Sequence, residues 1–123
     1  MNVYVAGPMR GIPDFNFHAF NAITRLLREE GHVVFNPAER DVQKYGTEFF
    51  KNAEGSNEIL CAQGFSLRHA LGEDTAWICA HADAIYLLSG WSKSKGAMAE
   101  RALGVALGLE ILGKSDDISE VNS

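Results

Sequence analysis

The chain has 123 residues, of which 46% are hydrophobic and 22% are charged, and its formal net charge is −5. This length suits one domain with a real core, and no segment has the roughly 18 consecutive apolar residues of a membrane span. The acidic balance argues against a nucleic acid polymer as partner, because such binding depends on basic side chains that neutralise phosphates. The start of the chain lacks a leader pattern, so we expect a cytoplasmic protein.

The first part of the sequence predicts a strand, a loop, a helix and a second strand. Residues 3–6 form a short apolar run that Gly7 and Pro8 close, and residues 16–30 have the pattern of an amphipathic helix. Residues 32–35 are typical of a second buried strand. A β-α-β unit of this length implies two parallel strands.

The second part repeats this alternation after an irregular middle. Residues 38–72 have no clear period, although 58–62 and 65–71 each suit a short helix, and so long a segment predicts a lid, an insertion or an oligomer contact. Beyond it the pattern predicts a helix over 75–82, a strand over 84–88, a helix over 96–109 that Ser94 caps, a short strand over 110–112 and a flexible polar tail over 114–123.

This order predicts one small α/β domain over residues 1–113, with a doubly wound parallel sheet of the flavodoxin or Rossmann type. Ligands of such sheets bind beyond the carboxyl ends of the strands, so the loops after residues 3–6 and 84–88 are the candidate sites. The first loop offers Arg10 and the backbone amides around Gly7 and Gly11, a combination suited to a phosphate. A tight turn with a surface arginine would have the same composition.

The second loop leads into the helix predicted over 96–109. Ser94 and the Gly96 amide would lie at its N-terminus, where orphan amides and the helix dipole favour an anion. Trp91 in the same loop is predicted to pack on a substrate ring. Loops of glycine, serine and lysine also occur on plain surfaces, which is the alternative interpretation.

Glu100 lies one turn inside that helix, on a face of small residues that leaves room for a ligand. Six residues separate it from Ser94, roughly 9 Å along a helix axis, which is comparable to the reach from a 5′-phosphate to the anomeric carbon of a sugar. A carboxylate there could act as a nucleophile in glycoside chemistry. The alternative is a solvated surface glutamate.

Such a reaction also needs an acid that protonates the departing base. Asp74 and Asp83 flank the helix predicted over 75–82 and are the best-placed carboxyls, although an aspartate in the position of Asp83 more often caps or pairs structurally. The cysteines, Cys61 and Cys79, and the four histidines lack metal-binding spacing, so we expect no metal and interpret both thiols as buried or incidental.

Three motifs together resemble the nucleoside 2-deoxyribosyltransferase superfamily, which includes 2′-deoxynucleoside 5′-monophosphate N-glycosidases and short relatives from bacteriophages. The motifs are Tyr4-x-Ala6-Gly7-Pro8-Met9-Arg10-Gly11, Ala82-Asp83-Ala84 and Gly96-x-x-x-Glu100-x-x-x-Gly104-x-Ala106. The resemblance implies a flavodoxin-like fold and a homo-oligomer in which a neighbouring subunit completes each active site.

The resemblance also implies roles for individual residues. Glu100 takes the position of the nucleophile that forms a glycosyl-enzyme intermediate, Tyr4 that of the tyrosine that orients it, and Asp74 that of the acid that protonates the base. Arg10 and Gly11 fall where the monophosphate hydrolases bind phosphate. Six residues before the glutamate the transferases tend to carry a carboxylate and the hydrolases a serine, and this chain has Ser94.

We therefore expect an N-glycosidase without a cofactor that cleaves the base from a (deoxy)ribonucleoside 5′-monophosphate. Three alternatives stay open at this point. They are a nucleoside 2-deoxyribosyltransferase that exchanges bases, a glycohydrolase of the NAD or ADP-ribose type, and a non-catalytic nucleotide-binding module in which Glu100 only hydrogen-bonds a sugar hydroxyl.

Overall fold

The computed structural model describes residues 1–114 and forms a four-stranded sheet. The strands are β1 (Asn2–Ala6), β2 (Val33–Phe35), β3 (Ala84–Leu87) and β4 (Glu110–Gly113). Their order in the sheet is β2-β1-β3-β4, and all three strand pairs are parallel. The predicted doubly wound, flavodoxin-like α/β fold is confirmed, and of the tail predicted over 114–123 all but Lys114 lies outside the described residues.

Six α-helices surround this sheet across residues 1–114. They are α1 (Phe17–Glu29), α2 (Pro37–Tyr45), α3 (Thr47–Lys51), α4 (Asn57–Ala62), α5 (Leu67–His81) and α6 (Lys95–Ala106), with short 3-10 turns at Pro13–Asn16 and Trp91–Lys93. No helix in this part of the chain has the length and apolar character needed to cross a membrane.

The central strand β1 is buried on both faces of the sheet. Val3 and Val5 pack in the cluster that contains Phe20 of α1, whereas Tyr4 packs on the other side with Ile78 of α5. This alternation follows from the pleat, which sends successive side chains to opposite faces. The tyrosine hydroxyl is therefore directed to the layer of α5 and α6.

The segment predicted as irregular is mostly helical. Asn36 caps α2, since its Oδ1 accepts a hydrogen bond from the Ala38 amide at 2.9 Å, and Pro37 occupies the first turn. Asn36 and Pro37 directly follow β2, so this pair both ends the strand and starts the helix. The patterns over 65–71 and 75–82 belong to the single helix α5, which Ser66 caps.

The continuity of α5 changes the expected position of the Asp74 carboxyl group. We expected it near a helix N-terminus, but it lies in the middle of α5, so the helix dipole does not act on it.

The face of small residues on α6 serves packing at Gly104. A Cβ atom on Gly104 would approach Ile85 Cγ1 to 2.6 Å, so this glycine allows close packing of the helix on the sheet and makes no room for a ligand.

Candidate active site

A cavity of about 490 Å³ lies beyond the carboxyl ends of β1, β2 and β3, where a doubly wound sheet binds ligands. Its walls come from the loop after β1, from α2 and α5, and from the first turns of α6. Seven of the nine site residues predicted from the sequence line it: Tyr4, Gly7, Arg10, Asp74, Ser94, Gly96 and Glu100.

The centre of this cavity is a buried pair of side chains. The Tyr4 hydroxyl donates a hydrogen bond to Glu100 Oε2 at 2.5 Å, and the two residues are 0% and 6% exposed. Burial and the nearby Glu100 and Asp74 carboxyls raise the pKa of Tyr4 well above its usual value, so its hydroxyl keeps the proton that it donates. This hydrogen bond therefore holds Glu100 through Oε2 and does not involve Oε1.

Two carboxyl groups of the cavity hold their protons more tightly than usual. Burial raises the pKa of Glu100 to about 8, although the hydrogen bond from Tyr4 opposes the shift. Burial, together with the nearby Asp41 carboxyl, raises the pKa of Asp74 to about 7, and an interaction with the Tyr4 hydroxyl opposes it. Tyr4 thus interacts with both carboxyls, one of which can be ionised while the other carries a proton.

Asp41 is a cavity residue that sequence reasoning missed. It lies on α2 and lines the cavity, and burial raises its pKa to about 6 against the opposing effect of Arg10. The signal that could have found it is the cap Asn36-Pro37 with Glu39 in the first turn, because these residues mark a helix that begins at the carboxyl end of a strand.

The N-terminus of α6 forms another part of the wall. Ser94 caps the helix as predicted, with its Oγ accepting a hydrogen bond from the Ala97 amide at 3.2 Å. A Cβ atom on Gly96 would meet only Ser94 Oγ, at 4.0 Å, so the backbone is open to a ligand there. Lys93 and Lys95, both exposed, line the same end of the cavity and add positive charge.

Arg10 reaches the cavity from the loop after β1. Its Nε donates to Asn57 Oδ1 at 3.0 Å, and its guanidinium lies 4.8 Å from the centre of the Phe65 ring. Burial lowers the pKa of Arg10 from its usual value, but an arginine stays protonated throughout the physiological range. Gly7 precedes it, and a Cβ atom there would lie 2.8 Å from Leu88 Cβ, so only glycine lets this loop pass so near the end of β3.

Two predicted substrate-binding residues lie elsewhere. The ring of Trp91 is 2% exposed in the core, and its Nε1 donates to the Lys114 carbonyl at 3.1 Å, so the prediction that it packs on a substrate is wrong. Gly11 does not line the cavity, and its amide donates to the Gly55 carbonyl at 2.9 Å. That amide is therefore unavailable to a phosphate, which corrects the prediction for Gly11.

The other polar candidates have positions outside the cavity. Asp83 Oδ2 accepts from the Asn2 amide at 2.7 Å, which is the structural role expected of it. Cys61 and Cys79 are exposed, so of the two interpretations, buried or incidental, the buried one is wrong. Over residues 1–114 no group of three or more histidine, cysteine, aspartate or glutamate side chains is arranged to hold a metal ion.

The fold and the cavity define a doubly wound α/β protein with one buried and two half-buried carboxyl groups at the carboxyl edge of its sheet. The chain matches the family model described as "Domain of unknown function (DUF4406)" over residues 1–113, and it belongs to this family. No curated protein and no solved structure matches the chain.

Proposed function

We propose that the protein is an N-glycosidase that hydrolyses the bond between base and sugar in a (deoxy)ribonucleoside 5′-monophosphate. The observation that carries this proposal is the buried Glu100, which Tyr4 holds at 2.5 Å in a cavity that Asp74 also lines. Burying a carboxyl group lowers the stability of the fold, and groups with shifted pKa values concentrate at functional sites.

The first chemical step forms a bond between the enzyme and the sugar. An ionised Glu100 attacks the anomeric carbon through Oε1, while Tyr4 holds Oε2 in place. The bond from that carbon to the base nitrogen breaks, and its electron pair stays on the nitrogen. Asp74 gives its proton to the base, which leaves as a neutral molecule and leaves Asp74 ionised.

The second step releases the sugar phosphate. A water molecule attacks the anomeric carbon, the bond to Glu100 breaks, and Glu100 returns to its carboxylate form. Asp74 takes the proton that the water loses, so both carboxyls recover their starting states. The chemistry needs two carboxyls and no cofactor.

The charge around the cavity supports a phosphorylated substrate. Arg10 and the N-terminus of α6, with Ser94 and the Gly96 amide, are the groups that would bind the 5′-phosphate. A serine can donate to a phosphate oxygen, whereas a carboxylate at position 94 would repel it. The homo-oligomer that the resemblance implies stays a prediction.

The test incubates the protein with a panel of ribonucleotides and deoxyribonucleotides and measures the free base by chromatography. We expect base release from at least one 5′-monophosphate, and a kcat/KM for the matching nucleoside about 100-fold lower, because the phosphate contacts are lost. Absence of base release from every member of the panel would contradict the proposal.

The same assay separates the alternatives. Base exchange between nucleosides with little net hydrolysis would indicate a transferase, and nicotinamide release from a dinucleotide would indicate a glycohydrolase of the NAD type. Tight nucleotide binding without turnover would indicate a binding module. Each outcome leaves a different product for the chromatogram.

The pH dependence of kcat/KM should follow the two cavity carboxyls. The reactive form of the enzyme has one proton on the pair, with Glu100 ionised and Asp74 protonated. Because the pKa of Glu100 is about 8 and that of Asp74 is about 7, this is the minor of the two singly protonated forms, and we expect a bell with limbs near pH 7 and near pH 8. Activity falls below the bell because both carboxyls are protonated and above it because both are ionised. The Tyr4→Phe variant should shift both limbs to higher pH, because the Tyr4 hydroxyl lowers the pKa values of both carboxyls and phenylalanine lacks this group. A pH profile that Tyr4→Phe leaves in place would contradict this assignment.

A further inference from the structure

Arg10 is supported from outside the cavity by the first residue of α4. Asn57 Oδ1 accepts the hydrogen bond from Arg10 Nε at 3.0 Å, and Asn57 itself does not line the cavity. The guanidinium also faces the Phe65 ring at 4.8 Å and the Phe15 ring at 5.9 Å. The bond to Asn57 uses Nε, and Nη1 also donates to Met9 Sδ at 3.6 Å, so Nη2 and the second hydrogen of Nη1 are the donors that would meet a phosphate.

The backbone around Arg10 is tied to the same segment. The Gly11 amide donates to the Gly55 carbonyl at 2.9 Å, two residues before Asn57. Gly55 has a φ of +81°, and a Cβ atom there would lie 2.7 Å from the Ile12 carbonyl oxygen, so only glycine allows this approach. The loop after β1 and the segment before α4 are therefore in direct backbone contact.

Both segments hold unusual backbone conformations where they meet. Three successive residues after the loop, Asp14, Phe15 and Asn16, have φ values between +53° and +61°, and Glu54 has a φ of +51°. Such conformations in residues other than glycine store free energy and persist only where the surroundings enforce them. The strain shows that this junction is held in one arrangement.

The enforcing surroundings are an aromatic cluster, formed by the buried residues Phe15, Phe50, Ala53, Leu60 and Phe65. It joins α3, α4 and the start of α5 to the 3-10 turn that follows the Arg10 loop. Asn57 thus lies on a helix that the aromatic cluster holds in place, so its hydrogen bond can fix the orientation of the guanidinium plane.

We propose that Asn57 is a positioning residue for phosphate recognition, which orients the Arg10 guanidinium so that its terminal nitrogens grip the 5′-phosphate of the substrate. This inference rests on the proposed function. An arginine side chain loses much rotamer freedom when it binds, and a fixed fork loses less for each hydrogen bond that it forms. A neutral amide suits the task, because it accepts from Nε without cancelling the charge that attracts the phosphate.

The test compares the monophosphate with its nucleoside in the Asn57→Leu variant, which keeps the side-chain shape and removes the acceptor. We expect KM and the calorimetric Kd for the monophosphate to rise about tenfold, with kcat within about twofold of wild type and KM for the nucleoside unchanged. Asn57→Ala should give the same result, and thermal unfolding shows that both variants fold. Asn52→Ala, in the same segment but without a contact to Arg10, is the matched control and should behave as wild type.

A double-mutant cycle makes the mechanism specific. Once Arg10 is replaced by alanine, the further change Asn57→Leu should have no additional effect on the monophosphate Kd, because there is no guanidinium left to orient. Equal losses for nucleoside and monophosphate, additive effects in the cycle or unchanged monophosphate binding would each overturn the inference. If the wild type binds the monophosphate but releases no base, the proposed function fails, and the calorimetric arm still decides the role of Asn57.

Discussion

The Glu100→Gln variant is expected to lower kcat/KM for the preferred monophosphate by about 10³-fold or more, because an amide cannot attack the anomeric carbon. Glutamine has the shape of glutamate, and its carbonyl oxygen can still accept the hydrogen bond from Tyr4, which is 2.5 Å from Glu100 Oε2 in the wild type. The measurement is steady-state base release. Glu110→Gln, which changes an exposed glutamate of β4 outside the cavity, is the matched control and should keep full activity.

The expected effect of Glu100→Gln on stability has the opposite sign to that of misfolding, so a stability measurement distinguishes the two causes of lost activity. The unfolded chain ionises this glutamate near pH 4.5, whereas burial raises the pKa of Glu100 to about 8 in the folded protein. The folded state therefore binds the extra proton, and its stability falls as the pH rises from about 4.5 to about 8.

Glutamine does not titrate, so the variant should gain stability throughout that window. At pH 7, about 2.5 pH units above the unfolded pKa, the gain is roughly 3 kcal/mol at about 1.36 kcal/mol for each unit. Thermal unfolding at pH 5 and at pH 8 measures it, and the gain should be larger at pH 8. An inactive variant that is also less stable at pH 8 would contradict the assignment of Glu100.

The covalent step has its own measurement. Denaturing the wild-type enzyme during turnover and weighing it by mass spectrometry should reveal a fraction that carries the sugar phosphate, attached to the peptide that contains Glu100. Glu100→Gln should lack this species. A wild-type enzyme that releases base without any such adduct, even when it is denatured within the first turnovers, would favour direct attack by water.

Local patterns were enough to predict the parts of the site that depend on neighbouring residues. The cap Ser94 is followed by good helix formers, so the position of Glu100 one turn inside α6 could be read from the chain. The apolar run of β1 placed Tyr4 in a buried strand next to the first candidate loop. The parallel sheet followed from the alternation of strands and helices.

Features that depend on distant contacts could not be predicted in this way. Trp91 lies in a glycine- and serine-rich loop, and only its bond to the Lys114 carbonyl, 23 residues away, reveals that it is core. The amide of Gly11 is used by Gly55, which belongs to the segment without a clear pattern. Asp41 was missed because it lies on α2, in the stretch predicted as irregular, and Asn57 was missed because only its hydrogen bond to Arg10, 47 residues away, connects it with the site.

The helix α5 was divided in the prediction because Gly72 interrupts its pattern. A glycine in an exposed position of a long helix lowers stability by only about 1 kcal/mol relative to alanine, which tertiary packing can offset. Asp74 therefore lies mid-helix beside Tyr4, and its raised pKa comes from burial and from Asp41. This change of position makes it better suited to hold a proton near pH 7 than a carboxyl at a helix N-terminus, where the dipole would favour ionisation.

The Asp74→Asn variant is expected to lower kcat/KM for the natural monophosphate by about 10²- to 10⁴-fold, because an asparagine cannot give a proton to the departing base. The loss in kcat/KM should nearly vanish for a sugar phosphate that carries nitrophenol in place of the base, since that group leaves as a stable anion without a proton. The value of kcat should stay low with both substrates, because hydrolysis of the intermediate still lacks the base that Asp74 provides. The Asp83→Asn variant, whose side chain can still accept from the Asn2 amide, is the matched control and should match wild type on both substrates.

The pH profile of Asp74→Asn with the nitrophenyl substrate gives an independent check. The Asp74 carboxyl raises the pKa of Glu100, so its removal should leave one acidic limb of kcat/KM, which Glu100 alone sets at a pH below about 8. The alkaline limb should disappear, because no acid remains to lose its proton. If both substrates lose kcat/KM equally and the limbs stay in place, Asp74 acts through folding or binding. The proton for the base must then come from another group of the cavity, and Asp41, a second aspartate with a raised pKa, is the candidate.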